Sequence, residues 1–176
     1  MDNSTYNRDC YNGNVGGITT IVSDSFTRPS DTTTYAVGDL IANSTTAGSV
    51  TPLILPVARI PDKAATIRRV RLKKSGTSTT NAQFRAHFYK ASPTVSNGDN
   101  GAWLTTESTY IGSFDITMNR VFSDGAKGIG IPSVGSELIL VPNAGSTDVF
   151  ALLEALAAYT PTSAEVFTLT AEAFQD

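Results

Sequence analysis

The chain has 176 residues, 40% of them hydrophobic and only 16% charged, with a formal net charge of -3 and a pI near 5.1. A chain of this length buries roughly 70% of the surface its unfolded form exposes, enough for one self-sufficient core, and six Tyr, eight Phe and one Trp at low net charge argue against disorder. The acidic balance argues against a phosphate backbone or an anionic membrane as partner, Cys10 alone allows neither an internal disulfide nor a multi-Cys metal site, and no apolar run approaches the ~20 residues that span a bilayer.

Residues 1–17 carry Asn, Asp, Gly and Ser with almost no aliphatic side chains, so they cannot pack a face of their own. They read as an extended N-terminal arm, either a frayed terminus or an ordered extension that reaches a neighbouring subunit with Tyr6 and Tyr11 as anchors. The segment lacks a signal-peptide pattern, and its free thiol points to synthesis in a reducing cytoplasm. The domain proper is expected over 18–176.

From Ile18 to Phe26 the β-branched density predicts a strand, ended by the turn residues Arg28-Pro-Ser-Asp31. Gly38-Asp39 is turn chemistry before Leu40-Ile41. Pro52 and Pro56 confine the run between them to an edge strand or a strand bounded at its ends.

The clearest periodicity lies in 66–74. Val70 and Leu72 alternate with Arg69, Arg71 and Lys73, which predicts a strand with one wet, basic face. With Arg68 and Lys74 this face is the strongest local charge feature. It is read either as solvated surface or as a contact surface for an acidic protein partner, with nucleic acid the weaker alternative. After a turn at 76–81, Phe84, Ala86 and Phe88 alternate with Arg85, His87 and Tyr89, so a hairpin of these two segments is expected.

Residues 91–108 form a long polar excursion interrupted by Trp103 and Leu104, a length usually tied to function or mobility. Residues 110–116 resume a strand pattern. Residues 125–135 read as a Gly-rich connection leading to the apolar run 138–141. The run 149–159 has helix-forming Ala, Leu and Glu, yet it is apolar all round, as a strand covered on both faces would be. A strand is favoured, in a hairpin with the alternating residues 165–171. Eight or nine short strands without βαβ alternation predict an all-β, antiparallel, jelly-roll-like β-sandwich.

No catalytic constellation emerges, and an enzyme is not expected. His87 is the only histidine and cannot form a structural zinc site alone. The Asn97-Gly-Asp-Asn-Gly101 cluster lacks the further bidentate acid of a familiar calcium loop and reads as a turn. Gly128-Ile-Gly130 has no Gly-Lys-Ser/Thr continuation to cradle phosphate. No cofactor and no metal are expected.

The order and spacing of Phe26-Thr-Arg-Pro29, Tyr35-Ala-Val-Gly-Asp39, Ile67 to Leu72, Phe84-Arg-Ala-His-Phe88, Ser92-Pro93 with Asp99-Asn100, Tyr110-Ile-Gly112, Tyr159-Thr-Pro161 and Glu165-Val-Phe-Thr-Leu-Thr170 resemble a family of small tailed-bacteriophage proteins that decorate, or cement, the capsid. The resemblance runs from about residue 20 to the C-terminus and rests on spacing, without a catalytic motif; the arm lies outside it. It implies a jelly-roll or β-sandwich protein on the outer surface of an HK97-type virion, clamping major capsid protein subunits. A homotrimer is the expected self-assembly, with a dimer second. Tyr6, Tyr11, Arg69 and Arg71 are the candidate contacts. The alternatives are a tail-fibre, baseplate or neck component, or a carbohydrate-binding β-sandwich displaying Trp103.

Overall fold

The computed structural model describes residues 18–132 and 137–175. Its strands are β1 (Ile18–Thr27), β2 (Leu40–Ile41), β3 (Leu53–Pro56), β4 (Ala65–Lys74), β5 (Gln83–Tyr89), β6 (Tyr110–Phe122), β7 (Gly125–Gly130), β8 (Leu138–Leu140), β9 (Asp148–Ala155) and β10 (Val166–Gln175), with one 3-10 turn at Ala47–Ser49. Every pairing is antiparallel. The hydrogen-bonded order is β1-β10-β4-β7-β6-β5-β9, with β2 and β3 both on the far edge of β9 and β8 beside β4. The sheet curls until β1 approaches β3. The fold is all-β and antiparallel, in the curled form of a jelly-roll-like β-sandwich.

Period-two alternation builds the core. On β4 Ile67, Val70 and Leu72 point inward, on β5 Phe84, Ala86 and Phe88, and on β10 Phe167, Leu169, Ala171 and Ala173, all buried in one cluster. Phe84 stands edge-on to both Phe167 and Tyr159, with ring centroids 5.5 and 5.2 Å away. Burying side chains of this size stabilises the fold by about 1.5–3 kcal/mol each.

The run 149–159 forms β9 as far as Ala155, a strand and not a helix. Val149, Ala151 and Leu153 join the main core, whereas Leu152 packs outward with Leu40, Ala42, Tyr89 and Val95 in a second cluster that includes Trp103. The strand is covered on both faces because the 91–108 excursion folds over its outer side. That cover also buries His87 and Tyr89, which alternation alone places on a wet face.

Both expected hairpins are overturned. β4 lies between β10 and β7, and β5 between β6 and β9. Nor do β9 and β10 pair; each has other neighbours. Alternation fixes the face that each side chain takes, but any strand with a matching inner face can lie beside it. Residues 125–130 are likewise a strand, not a flexible connection. The backbone is the reason for its glycines: a Cβ at Gly128 would stand 2.5 Å from the Thr117 carbonyl oxygen.

Two buried ionic networks pin the loops at one end of the sheet. The Arg28 guanidinium donates from Nε to the Tyr35 hydroxyl at 2.8 Å and from Nη2 to Asp99 at 3.2 Å. Tyr35 donates to Asp99 at 2.6 Å, and so does the Ala42 amide at 2.8 Å. In the second network Lys74 donates to Glu165 at 3.1 Å and to the Gly76 carbonyl at 2.9 Å. Tyr159 and the Gly76 amide also donate to Glu165. Lys74, expected on the basic outer face, is therefore inside; its position in register with Val70 and Leu72 points it there, and Glu165 meets its charge. Tyr35 and Tyr159 stack with centroids 6.4 Å apart and join the two networks.

The ends of the curled sheet meet without a ladder. The Asp24 carboxylate accepts the Ser25 amide of β1 and the Ile54 amide of β3, both at 2.8 Å. Where the edges diverge beyond this bridge, a cleft of about 490 Å³ is lined by Asp24 to Thr27, Asn43 and Thr51 to Leu53.

Candidate interaction surface

The outer face of β10, β4, β7 and β6 carries the basic residues in cross-strand rows. In one row Arg69 stands opposite Glu172. In the next Thr170, Arg71, Ile129 and Thr117 follow one another across four strands. The third row runs Ser25, Thr168, Lys73, Lys127, Arg120. Arg68 is the extra residue of a bulge, because Glu172 faces Arg69 while Ala173 faces Ile67. It rests over the Phe174 ring at 5.2 Å.

The two arginines singled out from the sequence are held together by one carboxylate. Glu172 Oε2 accepts Arg69 Nε at 2.8 Å, and Oε1 lies 2.9 Å from Arg71 Nε. The Glu172 side chain is only 15% exposed, so this triad is tied into the sheet. Lys73 meets Asp124 at 2.7 Å, on a carboxylate that is 71% exposed at the β6–β7 turn. The hydrogen bond and charge of Lys73 hold the Asp124 carboxyl below its ordinary range. Among the described residues Lys127 has no carboxylate within ion-pair distance; its ammonium lies 5.5 Å from the Phe122 ring centre. Arg71, Lys73, Lys127, Thr168 and Thr170 line a shallow cleft of about 230 Å³. Around this face Ile129, Ile131, Ile139 and Phe174 are substantially exposed. Sequence alternation showed the β4 cations; the contributions of Lys127 and Arg120 depend on strand order and could not be read from it.

Tyr6 and Tyr11 lie outside the described residues. His87 is 4% exposed. Its Nε2 lies 2.8 Å from Glu154, its Nδ1 3.4 Å from the Tyr110 hydroxyl, and its ring stacks on Trp103 at 3.9 Å. Burial lowers its pKa, against the opposing effect of its hydrogen bond to the Glu154 carboxylate. Both nitrogens are thus engaged inside a packed cluster, which is a structural arrangement. Asp99, in the loop weighed as a calcium site, instead turns inward to Arg28 and Tyr35. Among the described residues no three His, Cys, Asp or Glu side chains gather as a metal site, and no helix is long and apolar enough to cross a membrane.

No protein-family model matches the chain, and no curated protein matches it. Among solved structures it is similar to a chain of the cyanophage Pam1 capsid asymmetric unit, at 14% identity over 92% of this chain and 87% of that one, with a TM-score of 0.34. A BFDV capsid protein, crystallised as a decamer, gives 12% identity over 90% and 99% of the two chains and a TM-score of 0.32. The K1 cleaved adhesin domain of Lys-gingipain from Porphyromonas gingivalis W83 gives 13% identity over 89% and 99%, with a TM-score of 0.30.

Proposed function

We propose that the chain is a structural virion protein that binds the outside of an HK97-type capsid and cements neighbouring major-capsid subunits. The observation that carries this reading is the outer face of β10, β4, β7 and β6, where the cations are accompanied by exposed Ile129 and Phe174 and bordered by exposed Ile131 and Ile139. Arginine and apolar side chains on a rigid sheet are interface chemistry. The spacing resemblance described above supports the same reading.

The mechanism is thermodynamic. A protein that contacts several subunits at once binds only the assembled lattice, and it stabilises that lattice by mass action and multivalency. A cyclic trimer, with a dimer second, suits local quasi-symmetry, and Tyr6 and Tyr11 on the arm would extend the contact to a neighbour. Against the carbohydrate-binding alternative, one face of the Trp103 ring is already stacked on His87. Co-sedimentation with matured shells assembled without the protein tests the reading. Saturable binding supports it, and absence of binding turns attention to tail, baseplate or neck assemblies.

A further inference from the structure

Lys73, Lys127 and Arg120 face one another directly across three adjacent strands. Like charges in this position destabilise a sheet, and neighbouring strands are only ~4.8 Å apart. The protein's own carboxylates answer the charge unevenly. Arg69 and Arg71 share the largely buried Glu172, whereas among the described residues the three-cation row is ion-paired only with Asp124, exposed on a turn. The row also borders the cleft whose other wall carries the hydroxyls of Thr168 and Thr170. Folding alone leaves this concentration of charge unexplained in a chain of net charge -3.

We infer that the Lys73–Lys127–Arg120 row, with Thr168 and Thr170, is a docking groove for a carboxylate-bearing segment of a partner protein. Glu172 shows the chemistry within the chain itself: one carboxylate bridges two cations of the same face. A partner's Asp or Glu would take the place of Asp124 on Lys73 and give Lys127 the direct ion pair that Asp124, which feels the Lys127 charge from farther off, does not make, while the threonine hydroxyls donate to the second oxygen. Ile129 supplies apolar contact beside the row. A long polyanion such as duplex DNA fits less well, because the acidic protein repels it outside this short row. On the proposed cement reading, on which this inference rests, the acidic segment belongs to a capsid subunit.

The test compares wild-type protein with Lys73→Glu/Lys127→Glu and with Arg59→Glu/Lys63→Glu, which makes the same charge change in the loop between β3 and β4. Each is measured against matured shells, immobilised poly-L-glutamate and a DNA duplex, with circular dichroism and a thermal midpoint to verify folding. The expected result is that the row variant, folded, loses about tenfold or more in affinity for shells and polyglutamate, while the loop variant keeps both. Shell binding unchanged in the row variant would overturn the groove and leave the cement reading intact. Wild-type protein that ignores shells but binds polyglutamate through the row would overturn the cement reading and keep the groove. Tighter, row-dependent binding to DNA than to polyglutamate would overturn the acidic-protein assignment.

Discussion

The Lys74 ammonium lies 3.1 Å from the Glu165 carboxylate, and neither side chain reaches solvent. Removing one partner of such a pair leaves a buried charge without its counter-ion, at a cost of about 3–5 kcal/mol. Lys74→Met is therefore expected to lower the unfolding free energy by that amount in urea titration. Lys74→Met/Glu165→Gln is expected to recover part of the loss, since the remaining amide is neutral and can still accept from Tyr159. A single-variant loss below about 1 kcal/mol would contradict the buried-pair geometry.

Asp24 closes the seam between β1 and β3 in place of backbone pairing. Asp24→Ala frees two edge amides, at an expected cost of about 1–2 kcal/mol. It also unguards two strand edges, which favours edge-to-edge association. Light scattering at increasing concentration checks the second effect; a variant as monodisperse as the wild type would show that the carboxylate does not guard the edge.

His87 gives the fold a pH dependence with a definite sign. Its pKa is lowered in the folded state by burial under Trp103. Folding therefore favours the neutral ring, so the contribution is present above the unfolded value near 6.5 and is lost as pH falls from there toward the folded value. Unfolding free energies measured from pH 7.5 down to 5 are expected to fall more steeply in the wild type than in His87→Gln. Parallel curves would contradict the assignment.

Gly128 tests the packing of β7 against β6. Gly128→Ala places a methyl group against the Thr117 backbone, and the resulting shift is expected to cost about 1–3 kcal/mol. Gly48, whose added Cβ meets nothing within 4 Å, serves as the control site. Equal thermal midpoints for the two alanine variants would argue that β7 can move aside.

The strand segments and the inner face were largely legible, because alternation on β4, β5 and β10 marks which side chains are buried. The apolar run at β9 read as a strand for the physical reason the structure shows, cover on both faces. Strand order was not legible. Several alternating segments have compatible inner faces, so nothing local distinguishes β4 beside β5 from β4 beside β10. That gap hid the like-charge opposition of Lys73, Lys127 and Arg120, which exists only once β4, β7 and β6 are neighbours. Lys74 was misplaced because its charge was weighed above its parity with Val70 and Leu72. The partner that makes its burial tolerable, Glu165, lies 91 residues away.

The central claim, that this chain cements an assembled shell, is tested most directly by the disruption temperature of matured shells titrated with the purified protein. The account predicts a rise that saturates at a fixed ratio of protein to capsid subunit, and a smaller rise with Lys73→Glu/Lys127→Glu. A disruption temperature that stays constant through saturating protein would contradict it.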